Sequence, residues 1–370
     1  MSPSTSIHGE AKSCDSDHFS VIKMSKILVA MSGGVDSSAA LSILLDEGHT
    51  LSGITFVIDD SEAGSLAVRD AAEVARRLGI PHEKLDISEV FRRQVKEYFV
   101  RSYEAGETPN PCVVCNREIK FGLLCDLAAE RGFDGVATGH YVRKTVSDGR
   151  VCLMRAADER KDQSYMLAHV PEASLLNAVF PLGGYTKDEI RRIAADTGLS
   201  VADKKDSQDI CFVPDGDYVG FLTRYRGREP DGGDYVDPDG RVLGRHMGQE
   251  CYTIGQRKGL GIALGRHMFV LDKNAKSNTV TLGDSDALMK REIILRCVNL
   301  IGRDRICDGE RLDVKIRYAH RAAPAELFNV DGGLRVVFGT PQRAPSPGQL
   351  AVMYAGDVVF GGGIICGSAK

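Results

Sequence analysis

No stretch of this 370-residue chain approaches the ~20 consecutive apolar residues that a membrane span requires, so no part of it reads as a transmembrane helix. Residues 1–23 mix Ser, Asp, His and Lys without an apolar centre, which sets aside a secretory signal, and residues 1–24 are expected to form a disordered extension. Strong charge is missing too. The net value is −4, so a nucleic-acid partner must be met by a local basic surface rather than by a global field. There is no internal repeat and no low-complexity tract. Only one C-x-x-C occurs, Cys112–Cys115, with no Cys/His pair at finger spacing, which argues against structural zinc. What the chain does have is ten cysteines without an export signal. That combination points to a reducing, cytoplasmic setting and to thiol or metal chemistry.

A composition of 43% hydrophobic and 26% charged residues is that of an ordinary globular protein, and this length leaves room for two or three domains. The stretch that organises them is KILVAMSGGVDSSAALSILLDEG, residues 26–48. Lys26 to Met31 reads as a buried parallel strand, and Asp36 to Glu47 as a helix with Ala40, Ile43 and Leu44 on one face. Between them, Ser32-Gly33-Gly34-Val35-Asp36-Ser37-Ser38 supplies two glycines for a sharp turn, three hydroxyls and a helix N-terminus. Backbone N–H groups brought together in this way cradle a phosphate. The loop contains no lysine, so it is not a Walker A loop.

Further along, Leu51–Ile58 and Pro81–Ile87 read as strands, and 62–78, 88–105 and 116–131 as helices, with Gly135–Thr138 a fourth strand. Strand–helix alternation of this kind predicts a parallel sheet covered on both faces, with ligands beyond the carboxyl ends of its strands. Thr186 and Glu189 are spaced as a capping box opening another helix. After about residue 215, Asp-Gly turns recur every few residues, and from about 290 the pattern is β. In RLDVKIRY the apolar Leu312, Val314, Ile316 and Tyr318 alternate with charged residues, and a small β-barrel is the economical reading.

Two cysteine stretches concentrate the chemistry. TPNPCVVCN, residues 108–116, lies just before the 116–131 helix, and SQDICF, residues 207–212, comes about a hundred residues later. A thiol at a helix N-terminus is expected to gain thiolate character. Cys14, Cys125, Cys152, Cys251, Cys297, Cys307 and Cys366 are isolated and read mostly as small core or surface residues.

SGGVDSS resembles the PP-loop of the ATP pyrophosphatases, which bind ATP and release pyrophosphate while adenylating a substrate. Taken with NPC-x-x-CN-x-x-IKF, ATGHY, KDQSYML, PLG-x-x-TK-x-E-x-R, SQDICF and YTIGQRKGLG in that order, it makes the chain similar to the bacterial tRNA-specific 2-thiouridylases of the MnmA type, from about residue 25 onward. The resemblance implies an α/β fold: a parallel-sheet PP-loop domain over 25–217, a small basic central domain over 218–289 and a C-terminal β-barrel over 290–370. It implies adenylation of O2 of the wobble uridine, in the tRNA anticodon loop, followed by replacement of that oxygen with sulfur. Cys115 is then the nucleophile, Cys211 the persulfide carrier, and Asp36 the helper that holds Mg²⁺ on the ATP phosphates. Ala30, Met31, Ser32, Gly33, Gly34, Val35, Asp36, Ser37, Phe56 and Gly139 would bind ATP. Asn110, Pro111 and Cys112 would meet the target base. His140, Lys161, Asp162, Gln163, Arg317, Tyr318 and Gln349 would touch tRNA, with sulfide or a sulfur-donor protein as the further partner.

One position departs from the family pattern. Where better-known members often carry Asp, this chain has Cys112. If a carboxylate is needed, Asp209 beside Cys211 is a candidate. The change also sets Cys112, Cys115 and Cys211 around one pocket, as three ligands of a [4Fe–4S] cluster with one iron open to sulfide. Alternatively, Cys112 is a spare thiol beside the working pair. For RNA, residues 241–268 carry Arg241, Arg245, Arg257, Lys258 and Arg266 against Glu250, which suits a phosphate-binding patch or a plain solvated surface. Two other readings stay open: a different adenylating PP-loop ligase, and an RNA-binding Fe–S or zinc module without catalysis.

Overall fold

The computed structural model describes residues 24–196, 209–263 and 265–366; Cys14, Ser207, Gln208 and the expected N-terminal extension up to residue 23 lie outside them. The chain begins with a parallel sheet of β1 (Lys26–Ala30), β2 (Thr50–Val57), β3 (His82–Asp86), β4 (Gly135–Ala137) and β7 (Ala178–Val179), in the order β3-β2-β1-β4-β7. Ile27, Leu28 and Val29 on β1 are buried, as a central strand covered on both faces demands. The order reverses between β1 and β4, so the crevice beyond their carboxyl ends is the place for a ligand. Helix α1 (Val35–Asp46) follows β1 directly, and Thr138-Gly139-His140 follows β4 into the same crevice.

The helix of 88–104 and that of 111–130 each switch to π geometry in mid-course, over Arg92–Lys96 and Cys115–Leu123. The second begins earlier than the spacing predicted. Asn110 caps it by accepting from Cys112 N–H at 3.2 Å, and Pro111 occupies its first position. Asn followed by Pro is a helix-start pair, because Pro lacks the N–H that the first turn leaves unused. Both cysteines of the C-x-x-C therefore sit inside the opening turns, not before them. Thr186 and Glu189 do form the capping box, with Thr186 N–H donating to Glu189 Oε2 at 2.7 Å.

The central sheet contains β8 (Gly233–Val236), β9 (Val242–His246), β10 (Phe269–Asn274) and β11 (Thr279–Gly283), in the order β10-β11-β8-β9 over buried Tyr235, Tyr252 and Val270. The C-terminal unit is a closed antiparallel barrel of six strands: β12 (Met289–Leu300), β13 (Glu310–Lys315), β14 (Ala323–Val330), β15 (Gly333–Arg343), β16 (Leu350–Ala355) and β17 (Val358–Ile365), sealed where β17 meets β12. Closure removes the exposed edges an open sheet would carry. Leu312, Val314 and Ile316 point into the core as their alternation predicts, but Tyr318 is 41% exposed because the strand ends at Lys315.

A hairpin of β5 (Arg143–Ser147) and β6 (Arg150–Met154) leaves the first unit and pairs with β17 through Met154–Val358 and Leu153–Val359. Apolar patterning does not predict it, since β5 reads RKTVS and is exposed along most of its length. Its buried face joins Val151 and Leu153 to Tyr165, Leu350, Val352 and Tyr354 in one core. Tyr165 has no exposed surface and donates its hydroxyl to Leu350 O at 2.6 Å. Losing a ring so buried costs about 3–5 kcal/mol. The first unit and the barrel thus share one hydrophobic core.

Candidate active site

A cavity of about 1150 Å³ opens beyond the carboxyl ends of β1 and β4. One end is the loop. Gly33 takes φ +67°, and a Cβ on it would collide with the backbone of Ala67 on the neighbouring helix. Ser38 N–H and Ser38 Oγ both donate to Gly34 O, at 3.2 and 2.8 Å, and Ser37 Oγ accepts from Ser32 N–H at 3.2 Å. Gly34 is the N-cap residue and has no side chain to cap with, so the first-turn amides of α1 stay available to an anion. Ala30, Met31, Ser32, Asp36 and Ser37 line this end, with Gly139 across from them. Ile54, Phe56, Ile58, Ile87 and Phe91 supply an apolar wall alongside. Gly33 and Gly34 shape the turn without lining the cavity, and Val35 packs into the core.

Asp36 does not stand alone. Its Oδ1 accepts from Lys187 Nζ and from Tyr141 Oη, each at 2.7 Å. The loop has no lysine of its own, yet the fold brings one in from 151 residues away. Lys187 is 4% exposed and occupies the first turn of its helix, where the dipole disfavours a cation. That misplaced charge is the signal by which the sequence could have flagged it.

Cys115 and Cys211 line the same cavity and form its thiol end together with Ile119, Lys120, His140 and Asp209. Cys112 lies beside them, close enough for its charge to act on both, but outside the cavity wall. All three are free thiols. Burial pushes Cys112 and Cys115 up from the ordinary thiol range, with the Lys120 ammonium pulling the other way. Burial, with the neighbouring Cys115 and Cys112, pushes Cys211 up to about 12. Cys112 and Cys211 do meet solvent at the surface, but protein crowds their remaining sides. Burial thus acts against the thiolate character expected of a thiol at a helix terminus. Among the described residues, no three His, Cys, Asp or Glu side chains are gathered tightly enough to hold a metal ion.

KDQSYML, residues 161–167, braces this end. Asp162 is buried and accepts from Ala156 N–H and Ser164 N–H, both at 3.1 Å, and from Ser164 Oγ at 2.8 Å. Gln163 Oε1 accepts from Tyr141 N–H at 2.9 Å, while Met166 O accepts from Asn116 Nδ2 at 3.1 Å. Asn110 Nδ2 points at Met166 Sδ, 3.6 Å away. Lys161 and Gln163 line the cavity; Asp162, Asn110 and Pro111 do not. His140 is buried, bonded to Thr138 Oγ1 at 2.7 Å, and burial lowers its pKa well below the usual range, so it stands neutral.

The remaining residues expected to meet tRNA do not line the cavity. Arg317 donates to Ala344 O at 2.6 Å and to Ser346 Oγ, Tyr318 Oη to Asp162 O at 3.2 Å, and Gln349 Nε2 to Thr108 O at 2.7 Å. In the basic stretch, Arg245 pairs with Asp234 at 2.8 Å and Arg266 with Asp284 at 3.4 Å, whereas Glu250 is turned inward to Arg226. Arg241, Arg257 and Lys258 form no ion pair among the described residues.

The comparisons with known proteins agree along the chain. Residues 25–215 match the tRNA methyl transferase HUP domain, 219–284 the tRNA methyl transferase PRC-barrel domain, and 290–365 the aminomethyltransferase beta-barrel domain. The tRNA-specific 2-thiouridylase MnmA of Acetivibrio thermocellus is 44% identical over 354 residues, covering 92% of this chain and 99% of that protein. MnmA of Treponema denticola is 42% identical over 356 residues, covering 92% and 97%. One likeness to a solved structure is remote. A 4-thiouridine synthetase–RNA complex with bound ATP is 21% identical, covers 54% of this chain and 50% of that one, and reaches a TM-score of 0.38, too low to bear on the site. On the domain matches and an identity above 40% across nearly its whole length, the chain belongs to the family of tRNA-specific 2-thiouridylases of the MnmA type.

Proposed function

We propose that this protein is a tRNA 2-thiouridylase that adenylates O2 of the wobble uridine with ATP and then exchanges the oxygen for sulfur. The observation that carries the reading is that one cavity is lined both by the phosphate loop and by the thiols Cys115 and Cys211. A uracil carbonyl oxygen is a poor leaving group until it is esterified. O2 attacks the α-phosphate of ATP, and pyrophosphate departs onto the amides of the loop and the first turn of α1. Ser32, Ser37 and the Lys187–Asp36 pair surround that charge, and Phe56 with its apolar neighbours suits the adenine. Mg²⁺, which would neutralise the departing phosphates, would be held by the Asp36 carboxylate.

Sulfur then comes from a persulfide on Cys211, charged with sulfane sulfur by a donor protein or a small persulfide. Its terminal sulfur attacks C2, and AMP leaves with the original oxygen. Cys115, as thiolate, attacks the Cys211 sulfur of the resulting mixed disulfide, which frees the thiocarbonyl and leaves a Cys115–Cys211 disulfide for an external reductant. Asp209, lining the same end, supplies the carboxylate that Cys112 has displaced. Asn110, Pro111 and the brace from KDQSYML seat the base, and Arg241, Arg257 and Lys258 are the cations left to meet phosphates. Such work belongs in the cytoplasm with tRNA and ATP; among the described residues no helix is long and apolar enough to cross a membrane. A methyl-transfer reading, which the domain names suggest, finds less support in a cavity that joins a phosphate loop to two thiols.

The test is incubation with ATP, Mg²⁺, a persulfide donor or sulfide, and unmodified tRNA, followed by nucleoside mass spectrometry. The expected product is 2-thiouridine with AMP and pyrophosphate, and none of it should form without ATP. Cys112→Ala then separates the two sulfur routes. The relay keeps most of its activity and needs no iron, whereas an inactive variant from an iron-loaded parent would replace the relay with a cluster.

A further inference from the structure

The segment leading into Cys112 and Cys115 is tied to the barrel at three points. Arg296 on β12 donates to Glu107 Oε1 at 2.7 Å. Thr108 N–H donates to Pro347 O at 2.8 Å, and Gln349 Nε2 donates to Thr108 O at 2.7 Å. Gly348 lies between these contacts at φ +88°, and a Cβ on it would stand 2.8 Å from Glu107 Cβ and 3.1 Å from Thr108 N. The turn before β16 and residues 107–108 therefore approach each other as closely as backbone allows. The ion pair is half-open, with side-chain exposures of 43% for Arg296 and 18% for Glu107. Alone it would hold little. The two hydrogen bonds to Thr108 converge on the residue two before Asn110, and Asn110 starts the helix that carries both thiols.

We propose that this barrel turn, with Arg296, is a positioning element for the thiol end of the cavity. It fixes Thr108, so that the helix starts in one place and presents Cys112 and Cys115 in a set relation to Cys211. Helix ends fray unless something outside the helix holds them. Among the described residues, the side chain of Asn110 has, beyond its cap on Cys112, only the thioether of Met166 to hold it. A reacting group displaced by about 1 Å loses on the order of 100-fold in rate, so a loose start would cost turnover more than binding. Gln349, which resemblance assigns to tRNA, has its amide N–H committed to this contact inside the protein. The inference deepens the thiouridylase reading and rests on it for the activity measurement alone.

The test uses the full chain with Gly348→Ala, Arg296→Met, and the swapped pair Glu107→Arg with Arg296→Glu. Amide hydrogen exchange over residues 107–116 is measured without ligands, and kcat and KM for tRNA thiolation are measured beside it. Gly348→Ala should speed exchange there by about tenfold or more while β1 and α1 keep their protection. It should lower kcat by roughly 10- to 100-fold with KM for tRNA within about threefold. Arg296→Met should act in the same direction but less, and the swapped pair should recover most of the loss. If Gly348→Ala fails to fold, Arg296→Met carries the test, since it removes one half-open ion pair. Unchanged exchange at 107–116 overturns the proposal even where activity falls, and so does faster exchange with full kcat. Faster exchange in a protein whose parent never thiolates tRNA would sink the enzymatic reading and leave the positioning element standing.

Discussion

The two ends of the cavity are built in opposite ways. At the phosphate end, Ser32, Gly34, Ser37 and Ser38 bond to one another within one seven-residue stretch, so the loop itself is built locally, and distant residues enter through Lys187 and Tyr141 on Asp36. At the thiol end, Cys115 and Cys211 come from segments about a hundred residues apart, braced by KDQSYML and tied to a barrel that begins near residue 289. A site made of near neighbours is preorganised by local geometry. One made of distant segments is only as well placed as the packing between them. Substitutions at the first end should therefore act where they are made, and those at the second should be felt from far away.

The sharpest break of that comparison is a cross-over of half-reactions. Cys115→Ser and Cys211→Ser should each lower thiolation by about 1000-fold or more while tRNA-dependent pyrophosphate release persists. Asp36→Asn should abolish pyrophosphate release and leave tRNA affinity nearly intact. It also leaves Lys187 without its carboxylate. The stability lost should fall short of the ~3–5 kcal/mol of a fully buried pair, because Asp36 is 33% exposed. Loss of tRNA binding in Asp36→Asn would show that the two ends are not separable.

A second, smaller contrast lies in pH. With Cys211 pushed up to about 12, its thiolate fraction grows as pH rises. Labelling of Cys211 by iodoacetamide in the ligand-free protein should increase about tenfold per pH unit between roughly pH 8 and 10. A rate already level at pH 8 would mean that the thiol end is more open than its packing indicates.

Gly33→Ala should disturb the phosphate end alone. The left-handed backbone costs an alanine about 1 kcal/mol, and the collision with Ala67 adds to it. The expected result is a KM for ATP raised by roughly tenfold or more, a Tm a few degrees lower, and unchanged Cys115 labelling. Altered labelling of Cys115 would contradict the separation.

The mildest effect belongs to the basic stretch. Arg257→Ala with Lys258→Ala should reduce the log–log salt slope of tRNA binding by about one unit for each phosphate that the variant no longer neutralises. Arg245→Ala and Arg266→Ala should change it less, because Asp234 and Asp284 already partner those two. Equal slopes for both pairs would make the ion pairs irrelevant to tRNA.

What the sequence determined by itself was whatever depends on near neighbours. The strand, loop and helix of 26–48 were legible because apolar periodicity, two glycines and a run of hydroxyls all act within a few residues. The Thr186–Glu189 cap and the inward alternation of Leu312, Val314 and Ile316 were legible for the same reason. The early start of the 111–130 helix is also written locally, in Asn110-Pro111, although apolar spacing alone places it later. Only the tertiary structure decided the rest. It carried Lys187 and Tyr141 to Asp36, gave Glu250 to Arg226 rather than to the basic surface, joined the β5–β6 hairpin to the barrel, and set Arg296 and Gln349 against the residues before the cysteines. It also set burial against the thiolate character expected from position alone. A helix dipole can be read from position along the chain, but desolvation depends on what packs around a group, and linear order does not state that.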